Sequence, residues 1–242
     1  MSALPTRKDE AWRYSDLTAV ARVWPVATPE KFVVFAGTAV TRDILQDAAD
    51  GAVAIVQLDI TVEAEARLDM TVLNFGGIYG RVALDVTLGD GAYFGLGGVI
   101  LGRGEQTLEI VTTIRHAAPN ATSHQTIRSV LDDRATGSFM GKVAVARGAQ
   151  KSDAVQSVKA LLLSRTATAN AKPELEIYAD DVKCAHGATV GELNANALFY
   201  LASRGVAPDE ACALLTEAFI ADALDGNEAL AAKAVAWLRR TV

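Results

Sequence analysis

Turn-forming residue pairs recur at intervals of roughly 14 or 15 residues along the middle of the chain, and this spacing constrains the fold most strongly. The segments between the pairs show apolar alternation, as at Val82, Leu84 and Val86, which predicts strands. The pairs are Asp90-Gly91, Gly104-Glu105, Pro119-Asn120, Asp132-Asp133 and Gly148-Ala149. Strands at this spacing, with no long amphipathic helix before Leu193, predict a β-sandwich, a β-barrel or a β-solenoid.

Small residues on these strands favour the solenoid, because stacked coils enclose a narrow interior. The small residues expected to point inward are Ala83, Ala92, Gly95, Gly97, Gly98, Ala144 and Ala146. We therefore predict a mainly β protein whose β-helix core covers residues 61–192. Residues 1–60 are expected to form an N-terminal arm and a mixed region, with a short helix from Asp43 to Ala49.

The last segment, residues 193–242, carries the signals of a small helical domain. Asn194 is expected to cap a first helix, Pro208 to begin a second and Asn227 to cap a third. Apolar and aromatic residues on these helices are candidates for a docking surface, and packing against the β-core is the alternative.

The composition of the 242-residue chain argues against several classes of partner. A formal net charge of −6 leaves no basic surface for nucleic acid or for an anionic membrane. No stretch approaches the roughly 20 apolar residues of a membrane-spanning helix, and the N-terminus lacks the apolar segment of a signal peptide. We therefore expect a cytoplasmic protein with no nucleic-acid or membrane partner.

Cys184 and His186 are the strongest candidates for chemistry. If a strand follows a turn at Asp180-Asp181, both side chains project from one face of it, and a thiolate and an imidazole suit iron or zinc. Cys212 is the other cysteine, so the chain cannot supply the four thiolates that an iron–sulfur cluster usually needs. The alternatives are a small buried Cys beside an unrelated His, or a Cys/His nucleophile pair without an oxyanion-hole signature.

Other polar residues have less specific interpretations. His116 and His124 are expected to be satisfied at a turn rather than to share a groove. The charged residues expected at solvated strand edges are Arg128, Asp132, Asp133, Arg134 and Lys142. The chain has no Walker-type phosphate loop, nucleophile elbow or His-Glu-x-x-His motif, so any nucleotide hydrolysis would come from a partner.

One run of sequence is far more specific than these spacings. Residues 173–191 read Pro-Glu-Leu-Glu-Ile-Tyr-Ala-Asp-Asp-Val-Lys-Cys-Ala-His-Gly-Ala-Thr-Val-Gly, and Leu198-Phe199-Tyr200-Leu201 and Ser203-Arg204-Gly205 follow. These motifs, together with Asp9 to Ser15 and the segment from His124 to Lys142, resemble the SufB/SufD family of iron–sulfur cluster assembly scaffolds. The His-Gly-Ala-Thr-Val-Gly and Phe-Tyr-Leu runs resemble its SufD branch. The resemblance covers the second half of the chain well and the first hundred residues only at the arm.

The resemblance implies a right-handed parallel β-helix with a reduced N-terminal segment and a small C-terminal α-helical domain. It also implies a non-enzymatic subunit that joins a SufB-like partner through the β-helix and binds the ATPase SufC through its C-terminal helices. His186 and Cys184 are then candidate ligands of iron or of a nascent cluster shared with SufB. No iron or cluster is expected to be bound by this chain alone. The candidate SufC-docking residues are Leu198, Phe199, Arg204 and Phe219.

Two other functions stay open. A carbohydrate-active β-helix enzyme would need paired carboxylates in a groove, for which Asp132-Asp133 and Asp180-Asp181 are available, although neighbours on a strand point to opposite faces. A purely structural partner subunit would carry no ligand residue. An isolated chain with an uncovered β-helix edge is expected to self-associate as a homodimer.

Overall fold

The strands wind into two parallel sheets that face each other. Within residues 3–239, which the computed structural model describes, twelve strands alternate between the sheets, and each sheet holds six. Odd-numbered strands form sheet A and even-numbered strands form sheet B, so two consecutive strands make one coil of a β-solenoid. The predicted mainly β fold with a parallel β-helix core and C-terminal helices is therefore confirmed.

The elements follow one another with short connections. The strands are β1 (Glu30–Val34), β2 (Ala39–Gln46), β3 (Val53–Val62), β4 (Arg67–Asn74), β5 (Tyr79–Leu88), β6 (Tyr93–Gly102), β7 (Thr107–His116), β8 (Thr122–Leu131), β9 (Thr136–Val145), β10 (Asp153–Leu162), β11 (Thr168–Ile177) and β12 (Lys183–Gly191). The helices are α1 (Leu17–Ala21), α2 (Ala195–Ser203), α3 (Pro208–Ile220) and α4 (Glu228–Leu238), with single 3-10 turns at Glu10–Trp12 and Ala221–Ala223. Among the described residues, no helix is both long and apolar enough to cross a membrane.

Inward-facing apolar side chains fill the space between the sheets. In β5, Val82 and Leu84 are buried on the inner face, whereas Ala83 between them faces outward. Ala144 of β9 and Gly95 and Gly97 of β6 also face outward, so the predicted small-residue interior is wrong at these positions. Phe94 and Phe139 occupy the interior instead. The regular coil length is therefore a valid signal of the solenoid. The expectation that small residues fill its interior is not.

The sheets extend upstream into the region predicted to be mixed. The short helix predicted from Asp43 to Ala49 is wrong, because Ala39–Gln46 forms β2 and pairs in parallel with β4. Ile44 is buried on the inner face of β2, and the residues on either side of it are not. This period of two residues suits a half-buried strand and not a helix. The first strand of the solenoid begins at Glu30, upstream of the boundary predicted near residue 61.

The N-terminal arm lies across the outer face of sheet A and covers a charged pair. The ring of Trp12 lies 4.0 Å from the guanidinium of Arg81. Beneath it, Glu109 Oε2 accepts hydrogen bonds from Arg81 Nη1 (2.6 Å), Ser15 Oγ (3.0 Å) and the Tyr79 hydroxyl (3.0 Å). The side chains of Arg81 and Glu109 are only 3% and 0% exposed. The arm therefore converts an ion pair on the sheet surface into a buried one.

The three C-terminal helices begin where the sequence predicts. The Asn194 side chain caps α2 by accepting hydrogen bonds from the backbone N–H groups of Asn196 and Ala197. Pro208 is the first residue of α3, and the Asn227 side chain caps α4. These starts are therefore confirmed.

A buried apolar cluster fixes α3 and α4 on the outer face of sheet B. Its members include Leu73, Val99, Leu101, Val130 and Leu161 from the sheet and Ile220, Leu224, Leu230, Trp237 and Leu238 from the helical end. Gly97 permits the close approach, since a Cβ at that position would lie 2.0 Å from the carbonyl oxygen of Ala223. Arg128 donates to Asp222 from Nε (3.0 Å) and Nη2 (2.5 Å). The prediction that Arg128 lies at a solvated edge is therefore wrong, because the helical end covers it.

Candidate functional site

The solenoid ends in two strands that have a neighbour on one side only. β11 is the last strand of sheet A and β12 the last strand of sheet B, where it pairs with β10. The backbone N–H of Lys183 donates to the Ser152 carbonyl at 2.9 Å. Because alternate residues of a strand direct their backbone groups to opposite sides, those of Cys184, His186 and Ala188 face away from the sheet. We call this row of free backbone groups the β12 edge.

Cys184 and His186 lie on β12 and share the face that points toward the interior. Register places Cys184 beside Ala154 and His186 beside Gln156, both of which are buried on the inner face of β10. Cys184 is partly buried and packs against the last coil of the core, and burial raises the pKa of its thiol, with the Asp153 charge adding to the rise. His186 is exposed at the end of the solenoid formed by β11 and β12, which no further coil covers and which we call the open end.

These two residues are too few to form a metal site by themselves. Within residues 3–239, no cluster of three or more His, Cys, Asp or Glu side chains could hold a metal ion. A thiolate and an imidazole are nevertheless the ligand types that iron accepts, and the pair sits at a free strand edge. Further ligands would have to come from another chain.

A buried polar row that the sequence reading missed leads from His186 into the solenoid. Gln156 and Gln125 precede His186 at the same register position on β10 and β8, and each is 1% exposed. Gln125 Oε1 accepts a hydrogen bond from Thr112 Oγ1 of sheet A at 2.8 Å. The Gln125 Nε2 and both amide atoms of Gln156 have no hydrogen-bond partner. The only sequence signal that relates these residues is the length of one coil, since each lies about 30 positions from the next.

The other two histidines lie apart from this end. His116 is fully buried at the end of β7, where Nε2 contacts Ser123 Oγ at 2.8 Å. His124 is exposed on the outer face of sheet B, and its ring meets Tyr93 edge-on. They do not share a groove. The prediction that both are satisfied at a turn is met only in part at His116, because Ser123 of β8 contacts Nε2 whereas Nδ1 has no hydrogen-bond partner.

Burial of His116 predicts a pH-dependent stability. Burial lowers the pKa of His116 to about 4, although the Ala121 backbone and the Asp153 charge oppose that shift. Below its ordinary pKa of about 6.5, the imidazole takes up a proton only in the unfolded chain, so stability falls as pH drops from about 6.5 to 4, by about 3 kcal/mol. Urea titrations of the wild type across this range should show the loss. His116→Gln should flatten the curve, and the exposed control His124→Gln should leave it unchanged; equal slopes in all three proteins would contradict the assignment.

The predicted docking residues divide into two groups. Phe199 on α2 is 76% exposed, and Arg204 at the end of α2 is exposed and lies over the Tyr200 ring. Leu198 is partly exposed, and no residue of α2 is buried. Phe219 on α3 instead packs against the buried apolar cluster and lines an apolar groove beside β12. The exposed surface is therefore that of α2.

The fold and the open end define a parallel β-solenoid protein whose last strand carries a Cys and a His at an unpaired edge. A family model described as "SUF system FeS cluster assembly, SufBD core domain" matches residues 29–219. The chain therefore belongs to the SufB/SufD family of iron–sulfur cluster assembly proteins.

Curated relatives are similar over part of the chain. An iron–sulfur cluster assembly SufBD family protein of Synechocystis is 42% identical over 122 residues, which cover 50% of this chain and 27% of that protein. The iron–sulfur cluster assembly protein SufD of Escherichia coli is 39% identical over 111 residues, covering 46% and 26% respectively. SufD of Bacillus subtilis is 38% identical over 133 residues, covering 55% and 30%. The matches thus span about a third or less of these relatives.

Proposed function

We propose that the chain is the SufD-type subunit of an iron–sulfur cluster assembly scaffold, without enzymatic activity of its own. The observation that carries the proposal is the position of His186 and Cys184 on β12, where the strand edge is free. The nascent cluster, or the iron from which it is made, is the cargo of this site. Similarity to two proteins called SufD supports the choice of branch.

The incomplete ligand set explains why a partner is required. One cysteine and one histidine satisfy half of the four positions that a cluster usually presents. A SufB-like subunit that adds a strand to the β12 edge brings its own ligands to the same place, because main-chain pairing fixes the register between the two chains. The apolar residues exposed near this end, Ile177, Tyr178 and Val190, are suited to burial in such an interface.

The exposed surface of α2 supports a second partner. A helix without buried residues that presents Phe199 and Tyr200 to solvent has an unsatisfied apolar face. We assign this face, with Leu198 and Arg204, to the ATPase SufC of the cytoplasmic complex. In the absence of either partner, a second copy of the chain is the expected occupant of the β12 edge.

A purely structural subunit is the second candidate, and the packing of Cys184 favours it. Its thiol lies against the core, next to Ala154 in the register, and behaves as a small apolar side chain with a raised pKa. The two functions differ at His186, which the structural role does not need.

Replacing His186 tests the proposal. The chain is co-expressed with its cognate SufB-like and SufC subunits, and the purified complex is reconstituted anaerobically with iron and sulfide. We expect the His186→Ala complex to assemble normally and its visible cluster absorption to fall severalfold. The matched control is His124→Ala, which removes an exposed imidazole from the outer face of sheet B and should leave the absorption unchanged. An assembled His186→Ala complex with full cluster absorption would leave this chain only a structural role. Failure of the wild-type subunits to assemble would contradict the proposed complex.

A further inference from the structure

The interior of the solenoid is polar directly below His186, where buried amide groups have no hydrogen-bond partner. Along the inner face of sheet B, the register position of His186 is occupied by Met70 on β4, Leu96 on β6, Gln125 on β8 and Gln156 on β10. The row is therefore apolar at β4 and β6 and polar at both ends, with Arg42 of β2 paired to Glu30 at one end and the two glutamines toward the open end. Gln156 is the last residue of the row before His186.

Gln156 has no structural use for its amide. Neither its nitrogen nor its oxygen has a hydrogen-bond partner, although the side chain is 1% exposed. A buried donor or acceptor left unpaired costs about 1 to 3 kcal/mol, so native interiors avoid it and a methionine of similar shape would fit at lower cost. Gln125 differs, because its amide oxygen is bonded to Thr112 across the core.

The opposite sheet leaves room for the Gln156 side chain. Gly141 on β9 faces it, and a Cβ at that position would lie 2.7 Å from Gln156 Nε2. His186 lies on the other side of Gln156, one strand away, at the spacing of about 4.8 Å that separates paired strands. Gln125 lies one strand away on the other side, and its free Nε2 can only donate, so it can meet the Gln156 oxygen but not the Gln156 N–H groups. Toward the open end, the imidazole is the neighbour in the row that can meet the rest of the amide.

We propose that Gln156 is a positioning residue for His186, whose carboxamide holds the imidazole when a partner covers the open end. A metal-binding imidazole uses one ring nitrogen for the metal and needs a hydrogen-bond partner at the other to fix its orientation and tautomer. A carboxamide offers both a donor and an acceptor, so it can hold either tautomer. This inference rests on the proposed function, because it assumes that His186 meets iron or a cluster. It extends the site one coil into the solenoid.

The test compares two buried glutamines of the same row. Gln156→Met and Gln125→Met are measured as isolated chains by urea unfolding. They are then measured in the SufB-like and SufC complex, which is loaded anaerobically with ⁵⁷Fe(II) before sulfide is added. Gln156→Met should keep or raise the unfolding midpoint and should change the Mössbauer quadrupole splitting of the bound iron. Gln125→Met should lower the midpoint, because it strands the Thr112 hydroxyl, and should leave the iron spectrum as in the wild type.

A third variant separates positioning from shape. Gln156→Glu keeps an oxygen acceptor of the same reach for the imidazole N–H, as carboxylates commonly provide for metal-binding histidines, and should return the iron spectrum toward that of the wild type. An iron spectrum unchanged in Gln156→Met, or a large loss of stability in that variant, would overturn the inference, since the amide would then serve the fold. If the wild-type complex binds no iron at all, the proposed function fails instead, and the two failures are told apart by the wild-type sample.

Discussion

Ala188→Pro is expected to weaken association with the SufB-like partner on the order of 100-fold, equal to about 3 kcal/mol, while the isolated chain stays folded. The backbone N–H of Ala188 faces away from β10, so its loss costs the chain no hydrogen bond of its own. Proline is tolerated on an edge strand for this reason, but an added strand would lose a donor and meet the pyrrolidine ring. Size-exclusion chromatography and titration calorimetry with the purified partner would measure the change.

Ala188→Ser is the matched control for this experiment. It keeps the backbone N–H and adds only a hydroxyl at an exposed position, so it should bind the partner as the wild type does. Circular dichroism of all three proteins checks that the strands are intact. Full-affinity binding by Ala188→Pro would show that the partner does not pair with the β12 edge, and the interface would then have to be sought elsewhere on the chain.

Glu109→Gln is expected to lower the free energy of unfolding by about 3 to 5 kcal/mol. The substitution preserves the shape of the side chain but leaves Arg81 as an uncompensated charge under the N-terminal arm, where its side chain is only 3% exposed. Burial, reinforced by the Glu109 carboxylate, raises the pKa of Tyr79, so its hydroxyl stays protonated and donates to Glu109. The variant replaces the carboxylate that accepts hydrogen bonds from Arg81, Tyr79 and Ser15 with an amide, whose oxygen is a weaker acceptor. Urea unfolding followed by circular dichroism measures the loss.

Two further variants isolate the cause. Glu105→Gln breaks an ion pair with Arg134 in which both side chains are 69% exposed, and it should cost less than about 1 kcal/mol. The double variant Arg81→Met, Glu109→Leu removes both buried charges and should recover most of the stability lost in Glu109→Gln. If Glu109→Gln were as mild as Glu105→Gln, the arm would not be sealing the pair from water.

Local patterns in the sequence predict the parts of this molecule that depend on neighbouring residues. The turn rhythm predicts the coils, the capping residues predict the helix starts, and the period of two residues in a strand puts Cys184 and His186 on one face. Where the prediction went wrong, as at Ala83 and Ala144, the error was in which face of the strand points inward. The spacing of the turns predicts where a strand lies in the sequence, but it does not predict which of its alternate residues face the interior.

Contacts between distant segments decide the rest. Arg128 and Asp222 are 94 positions apart, and so are Ser15 and Glu109, so nothing close to Arg128 or Glu109 in the sequence announces that a helix or an arm will bury it. Gln156 looks like an ordinary polar strand residue until the register places it under His186. Each of these residues acquires its role from a neighbour that the fold supplies.

The stacking of coils also implies an order of events during synthesis. Each strand pairs with the strand two places earlier, so a coil can close on the preceding one as soon as it leaves the ribosome. The arm is made before the strands, yet its contacts at Glu109 and Lys172 lie on β7 and β11, so it docks only after most of the solenoid has formed. β12 is the last strand to be laid down. The strand that carries His186 is thus completed last, and the edge for a partner appears only once the rest of the solenoid is in place.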